Sequence, residues 1–247
     1  MFRWHFDTMG TVASIVTETE VDAALQAEVQ AICEGFDQRF SLYRPDSELS
    51  RVNNGVLKLS EGSAELLAAY ALAIDWSLAT GGVFTPERPD GLLDLNGVVK
   101  ALAIRAVVDL LSEPVSAGHV GIGGDGEAWG RASVPWQAGI VDPNNREQLI
   151  STVTLGEGGD GRARWALATS GSSERGNHIW SRPGDVPLAQ ASVLAPDIVT
   201  ADVLATTLVA AGPSALDAVA AACDCEAFLV LTDGSQLATA GWTNPAR

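Results

Sequence analysis

Apolar residues between Val21 and Phe40 fall at Ala24, Leu25, Val29, Ile32, Cys33 and Phe36, the three-and-four spacing of one helix face. Glu61 to Thr80 repeats that spacing and runs into Gly81-Gly82, which stops a helix because glycine accepts the left-handed backbone turn. Val98 to Leu111 is a third helical stretch, with Asp94 to Gly97 leading into it, and Thr200 to Ala211 and Pro213 to Ala222 are two more. Between the first two helices, "LYRPDSELSRVNNG" reads as a loop carrying a short helix that opens at Asp46 or Ser47, residue types that cap helix N-termini. Val83 to Leu93 is rich in Pro and Gly and shows no period.

The remaining segments read as strands. Thr11 to Thr17 is rich in β-formers, and "GHVGIGGDGEAWGR" reads as strand, glycine turn and strand. Trp136 to Val141, Thr152 to Leu155 and Trp165 to Thr169 are further strands, with Gly156 to Gly161 as a mobile hairpin loop. The closing "AFLVLTDGSQLATAGW" places two β-like runs around Asp233-Gly234, a strong hairpin signal. Hairpins interleaved with helices predict an α+β fold of mostly antiparallel strands packed with helices, not a doubly wound parallel sheet. The 247 residues suffice for one large domain or two small ones sharing a core.

Composition narrows the function. With 47% hydrophobic and 19% charged residues the chain has the make-up of a folded globular protein. Its net charge of −16 argues against attraction to nucleic acid or anionic lipid. A phosphorylated small molecule can still bind where local cations or a metal reverse the field. The three cysteines form no metal-ligand pattern: Cys33 suits a helix core, and Cys223 with Cys225 makes a Cys-x-Cys pair without further ligands. "MFRWHFDTMGTVASIV" lacks the features of a secretory signal, and no apolar run of about 18 residues offers a membrane span. The expectation is a cytoplasmic protein without membrane anchor or nucleic-acid partner.

Several stretches could carry chemistry. Asp202 and Thr206 stand four residues apart on an expected helix, so a carboxylate and a hydroxyl share one face. Two hard oxygens suit Mg²⁺, although an acid near a helix N-terminus also suits the helix dipole alone. Gly121, Gly123, Gly124 and Gly126 around Asp125 would let a backbone approach phosphates, or would simply form a tight hairpin. "ATSGSSERGNHIW" gathers hydroxyls ahead of His178, a group that can act as base near neutral pH. "DLNGVVKALAI" sets Asp94 and Lys100 in an otherwise apolar run, either as strays of a buried helix or as a site for something charged.

Taken in order, these stretches resemble the ApbE family of flavin transferases, the FAD:protein FMN transferases. The resemblance rests on "MGT" at Met9, "FSLYRPDSELSRVN" at Phe40, "GGVF" at Gly81, "DLNGVVKALAI" at Asp94 and "GIGGDGEAWG" at Gly121. "WQAGIVDP" at Trp136, "ATSG" at Ala168, "HI" at His178 and "APDIVTADVLATTLVAAG" at Ala195 complete it across nearly the whole chain. It implies a single ApbE-like flavin transferase domain over residues 1–247. The implied reaction is Mg²⁺-dependent: the FAD pyrophosphate is split, AMP leaves, and FMN joins a Ser or Thr of a partner flavoprotein. By position, Met9 and Tyr43 would line the FAD site, and Asp94 and Lys100 would contact the dinucleotide. The main-chain carbonyl of Gly97, with Asp202 and Thr206, would hold Mg²⁺, and His178 would be the base for the incoming hydroxyl.

The chain also departs from the family pattern. Between "GGVF" and "DLNG" the family carries several tens of residues, where only "TPERPDGLL" stands here. Phe84-Thr85-Pro86-Glu87 replaces a Phe-Asp-x-Thr pattern, so one acidic FAD contact is absent. Asn96 takes the place of a small residue, Arg105 that of an acid, and "SRPG" at Ser181 shortens the segment after His178. Two other functions share the same residues: an FAD pyrophosphatase that uses water as acceptor, and a non-catalytic flavin-binding or interaction protein.

Overall fold

In the computed structural model, which describes residues 1–157, 163–171 and 187–242, the chain begins with a hairpin. Phe2, Trp4 and Phe6 alternate with polar residues along β1 (Phe2–Thr8), which pairs rung for rung with β2 (Thr11–Thr17). Met9 and Gly10 make the turn with φ of 48° and 71°. Two successive positive φ values give the turn whose twist matches a hairpin, and a methionine there is held in a region that side chains avoid.

α1 (Ala23–Phe40) is capped by Asp22, whose side chain accepts from Leu25 N. α2 (Glu48–Asn53) is capped by Ser47 and α3 (Ala64–Ala79) by Ser63 in the same way. The connector that follows α3 is short but tied down. Glu87 bridges Leu93, Asp94 N donates to Pro86 O, and the Asn53 side chain both donates to Leu93 O and accepts from Leu93 N, each at 2.9 Å. These bonds deliver the chain into α4 (Asn96–Ser112).

β3 (Gly118–Ile122) and β4 (Asp125–Trp129) form the expected hairpin, followed by β5 (Trp136–Asp142), β6 (Asn145–Glu157) and β7 (Ala163–Arg164). β8 (Ala166–Gly171) and β9 (Leu188–Ala195) precede α5 (Ile198–Ala211) and α6 (Leu216–Cys223). The chain closes on β10 (Glu226–Leu231) and β11 (Gln236–Ala238), paired around the expected turn.

Eight strands make one sheet in the order β1-β2-β3-β4-β8-β9-β10-β11, with every neighbouring pair antiparallel. One face packs on helices: Ile15, Val120, Ile122, Ala168, Val193 and Leu229 meet Val29, Ile104, Val107, Leu204 and Leu208. On the other face Ala128, Leu167, Phe228 and Val230 meet Trp136, Ile140, Val153 and Leu155 of the three-stranded sheet β5-β6-β7. β9 and β10 are therefore covered on both sides, so neither shows a regular alternation of buried and exposed positions. A third cluster joins α2, α3, Phe84 and the start of α4 to Val203 of α5. The fold is α+β. Among the described residues no helix is long and apolar enough to cross a membrane.

Candidate active site

α4 starts where Asp94 turns the chain. Its Oδ1 accepts from Asn96 N at 2.9 Å, so the carboxylate holds an Asx turn at the entry to the helix. Gly97 follows in that turn beneath the ring of Phe84, and a Cβ there would lie 2.7 Å from Phe84 Cε2. The glycine thus lets the connector close over the helix end. Val98 and Val99 share a core cluster with Val203 of α5, and Met9 packs against the same cluster from the β1–β2 turn. The first turn of α4 and the second turn of α5 are thereby set side by side.

α5 is apolar on every side, as a central buried helix should be, and Asp202 lies within it at 3% exposure. Asp197 caps it by accepting from Val199 N at 3.0 Å and Thr200 N at 3.1 Å. One turn beyond Asp202, the Thr206 hydroxyl lies 3.1 Å from Ser170 Oγ at the end of β8.

Lys100 points to the sheet. Its ammonium forms an ion pair with Oδ2 of Asp125, whose side chain is fully buried. The second carboxylate oxygen, Oδ1, accepts from Thr169 N at 3.0 Å. The backbone ladder between β4 and β8 has two rungs, Gly126 with Leu167 and Glu127 with Ala166, so the Asp125 side chain extends the pairing past the ladder's end. A continuous run of contacts therefore passes from Lys100 through Asp125 to Thr169, and from neighbouring Ser170 to Thr206.

Arg105, one turn and a half further along α4, repeats the arrangement. Its Nε lies 3.4 Å from Glu127 Oε2 and its guanidinium reaches Asp197 Oδ1 at 3.2 Å. Burial raises the Glu127 carboxyl above its ordinary range, and the guanidinium pulls the other way without cancelling it. For Arg105 itself, burial works against the charge but Glu127 and Asp197 prevail and raise its pKa.

The glycine-rich turn has a packing explanation. Gly121 and Gly126 face each other across β3 and β4, and the His119 imidazole lies over both: a Cβ at Gly126 would stand 2.6 Å from its Nε2. Burial lowers the His119 pKa to about 4. Gly123 turns with φ of 65°.

Of the residues expected at the site, Met9, Gly97 and Asp202 border one core cluster directly or through chain neighbours, and Lys100 and Thr206 lie at the two ends of the contact run. Tyr43 stands in the loop after α1 with 79% of its surface exposed. His178 lies outside the described residues, as does "SRPG". Two residues that the sequence reading left without a role join the arrangement: Asp125, partner of Lys100, and Asn53, clamp of the connector. Asn53 sits inside a motif already singled out, whereas nothing in the spacing of Lys100 and Asp125 reveals their pairing. Among the described residues no group of three or more His, Cys, Asp and Glu side chains could hold a metal ion. A set of one carboxylate, one hydroxyl and one peptide carbonyl is of another kind, all hard oxygen, and its chemistry fits Mg²⁺.

The model of the ApbE family matches residues 9–87 and 85–229. The two pieces meet at the head of the shortened connector. A Vibrio cholerae serotype O1 protein named FAD:protein FMN transferase is 26% identical over 272 residues, covering 83% of this chain and 80% of that protein. That span exceeds the 247 residues present here, so the relative carries residues without a counterpart in this chain. The structure of the flavin transferase ApbE from Vibrio cholerae superposes with a TM-score of 0.74 at 25% identity, over 97% of each chain. The ApbE protein of Thermotoga maritima gives 0.77 at 17% identity, again over 97% of each, which speaks to the fold.

Proposed function

The chain belongs to the ApbE family, and from that premise we propose that it is a transferase that moves the FMN part of FAD to a Ser or Thr hydroxyl of a partner flavoprotein and releases AMP. We propose residues 1–247 as one flavin transferase domain acting in the cytoplasm. The observation that carries the reading is the contact run from Lys100 through Asp125 and β8 to Thr206, which links the helix bearing a cation to the helix bearing the oxygen pair.

Met9 and Tyr43 line the flavin dinucleotide in this reading. The strained Met9 turn and the exposed Tyr43 ring support it, since an open aromatic face suits stacking on a flat heterocycle. Lys100 brings positive charge to the diphosphate in a chain whose net charge is −16, and Asp94 holds the backbone at the entry to α4. The Gly97 carbonyl, the Asp202 carboxylate and the Thr206 hydroxyl hold Mg²⁺, which when bound supplies neutralisation of charge on the phosphoryl oxygens. His178 takes the proton of the acceptor hydroxyl, a contribution of about a hundred- to ten-thousandfold for a well-placed base. The acceptor oxygen bonds to the FMN phosphorus as the bond to the bridging oxygen breaks, and AMP departs with that oxygen.

The test is incubation of the purified protein with FAD, MgCl₂ and a candidate acceptor flavoprotein. Flavin fluorescence that stays with the denatured acceptor, with AMP released in equal amount, is the expected result. FMN and AMP formed equally well without acceptor would make the protein an FAD pyrophosphatase. FAD binding without any AMP, across acceptors that a known flavin transferase labels, would leave a flavin-binding protein.

A further inference from the structure

We propose that Asp125 is a positioning residue of the transfer site: it fixes the Lys100 ammonium for the FAD diphosphate and, through the same carboxylate, holds the end of β8 that orients Thr206. The inference rests on the transferase reading above and deepens it, since neither the sequence pattern nor the family resemblance gives Asp125 a part.

Three observations carry it. The Asp125 side chain is fully buried while that of Lys100 is 15% exposed, so the pair spans the boundary between core and site with the cation outermost. A long lysine side chain otherwise samples many rotamers, and anchoring its ammonium on a buried carboxylate removes that freedom before substrate arrives. The two carboxylate oxygens divide their work: Oδ2 takes Lys100 of α4, and Oδ1 takes Thr169 N of β8 at 3.0 Å. The neighbouring Ser170 hydroxyl then meets Thr206 at 3.1 Å. One side chain therefore sets the cation on one helix and the hydroxyl on the other to a common reference.

Asp125→Asn separates these tasks, because the amide oxygen can still accept from Thr169 while the charge that holds Lys100 is gone. FAD binding is measured by flavin fluorescence, without Mg²⁺ and without acceptor, for the wild type, Asp125→Asn, Lys100→Met and the double variant, alongside each Tm. The proposal expects each single change to weaken FAD binding about tenfold, and the double variant to be no weaker than Lys100→Met alone, because Asp125 acts through Lys100. Single effects that multiply in the double variant would show that Asp125 acts elsewhere and overturn the proposal. So would an Asp125→Asn protein of native Tm that binds FAD as the wild type does. A wild type that fails to bind FAD would remove the transferase reading and this one with it. If Asp125→Asn does not fold, Asp125→Ser, which also lacks the charge, takes its place in the cycle.

Discussion

Ser170 Oγ stands 3.1 Å from Thr206 Oγ1, a side-chain contact that ties the end of a strand to the middle of a buried helix. If Thr206 is a magnesium ligand, Ser170 fixes the direction of its lone pairs. Partners that orient a metal ligand are typically worth about ten- to a hundredfold in metal affinity. Ser170→Ala is therefore expected to raise the Mg²⁺ concentration for half-maximal AMP release by that factor, with the metal-free Tm unchanged. Thr206→Val, which removes the hydroxyl and keeps the shape, is expected to be more severe. An unaltered Mg²⁺ dependence in Ser170→Ala would reduce the contact to packing.

Gly97 offers a test in which two effects have opposite signs. Replacing glycine by alanine in a helix interior gains about 1 kcal/mol of propensity, and less in the first turn, where Gly97 stands. Here the new methyl would stand 2.7 Å from Phe84 Cε2, in contact with a ring that is 5% exposed. Overpacking of that kind costs about 1–3 kcal/mol. Gly97→Ala is expected to lower stability by about 1 kcal/mol in urea titration, and Phe84→Leu in the same chain to recover it in part. A stabilised Gly97→Ala would mean the ring moves freely.

Much of this architecture can be read from periodicity, and the exceptions have physical causes. α1 and α3 announce themselves through apolar spacing, and Ser47 marks the start of α2 as a cap should. β9 leaves no such trace, because it is buried on both faces and so alternates with nothing. β1 carries one, in Phe2, Trp4 and Phe6 at period two. The glycine run shows why a motif is weaker than a geometry: Gly121 and Gly126 yield space to His119, a use that cannot be separated from phosphate binding by spacing.

In the candidate site, the shared helix face of Asp202 and Thr206 is legible because a helix turns their separation into adjacency. The pairing of Lys100 with Asp125 is not, since it depends on how α4 lies across the sheet, a tertiary fact with no local signature. Asn53 falls between these cases. Its bonds to Leu93 bridge forty positions, yet they explain how a connector this short can deliver Asp94 to the head of α4.

His119 makes the stability pH-dependent in a defined window. Burial lowers its folded pKa from 6.5 to about 4, so between these values the unfolded chain binds the proton and the folded chain does not. Stability is then complete above about pH 6.5 and declines as pH falls toward 4, by up to about 3 kcal/mol. Glu127 works in the opposite direction just above its ordinary range, because its folded pKa is raised. The His119 share is isolated by comparison with His119→Gln: the urea midpoint of the wild type should fall more steeply between pH 6.5 and 4 than that of the variant. Parallel curves would place the imidazole in contact with water.

Arg105 links Glu127 on the sheet to Asp197 at the head of α5, and its removal tests whether that link is structural. The Glu127 side chain is 10% exposed and that of Arg105 is 36% exposed. The pair therefore lies between surface bridges, worth under about 1 kcal/mol, and buried ones, whose breakage costs about 3–5. Arg105→Met should lower stability by about 2 kcal/mol at pH 7, mainly because it leaves the Glu127 charge uncompensated. The cap at Asp197 should survive, since Oδ1 still accepts from Val199 N and Thr200 N. Without the guanidinium, Glu127 takes up its proton at higher pH, so the deficit should narrow as the solution is acidified from pH 7 to 5 in urea titrations. Glu127→Gln in the Arg105→Met background should restore part of the loss at pH 7. A deficit that is independent of pH, and unchanged by that second substitution, would assign the role of Arg105 to the packing of its alkyl chain instead.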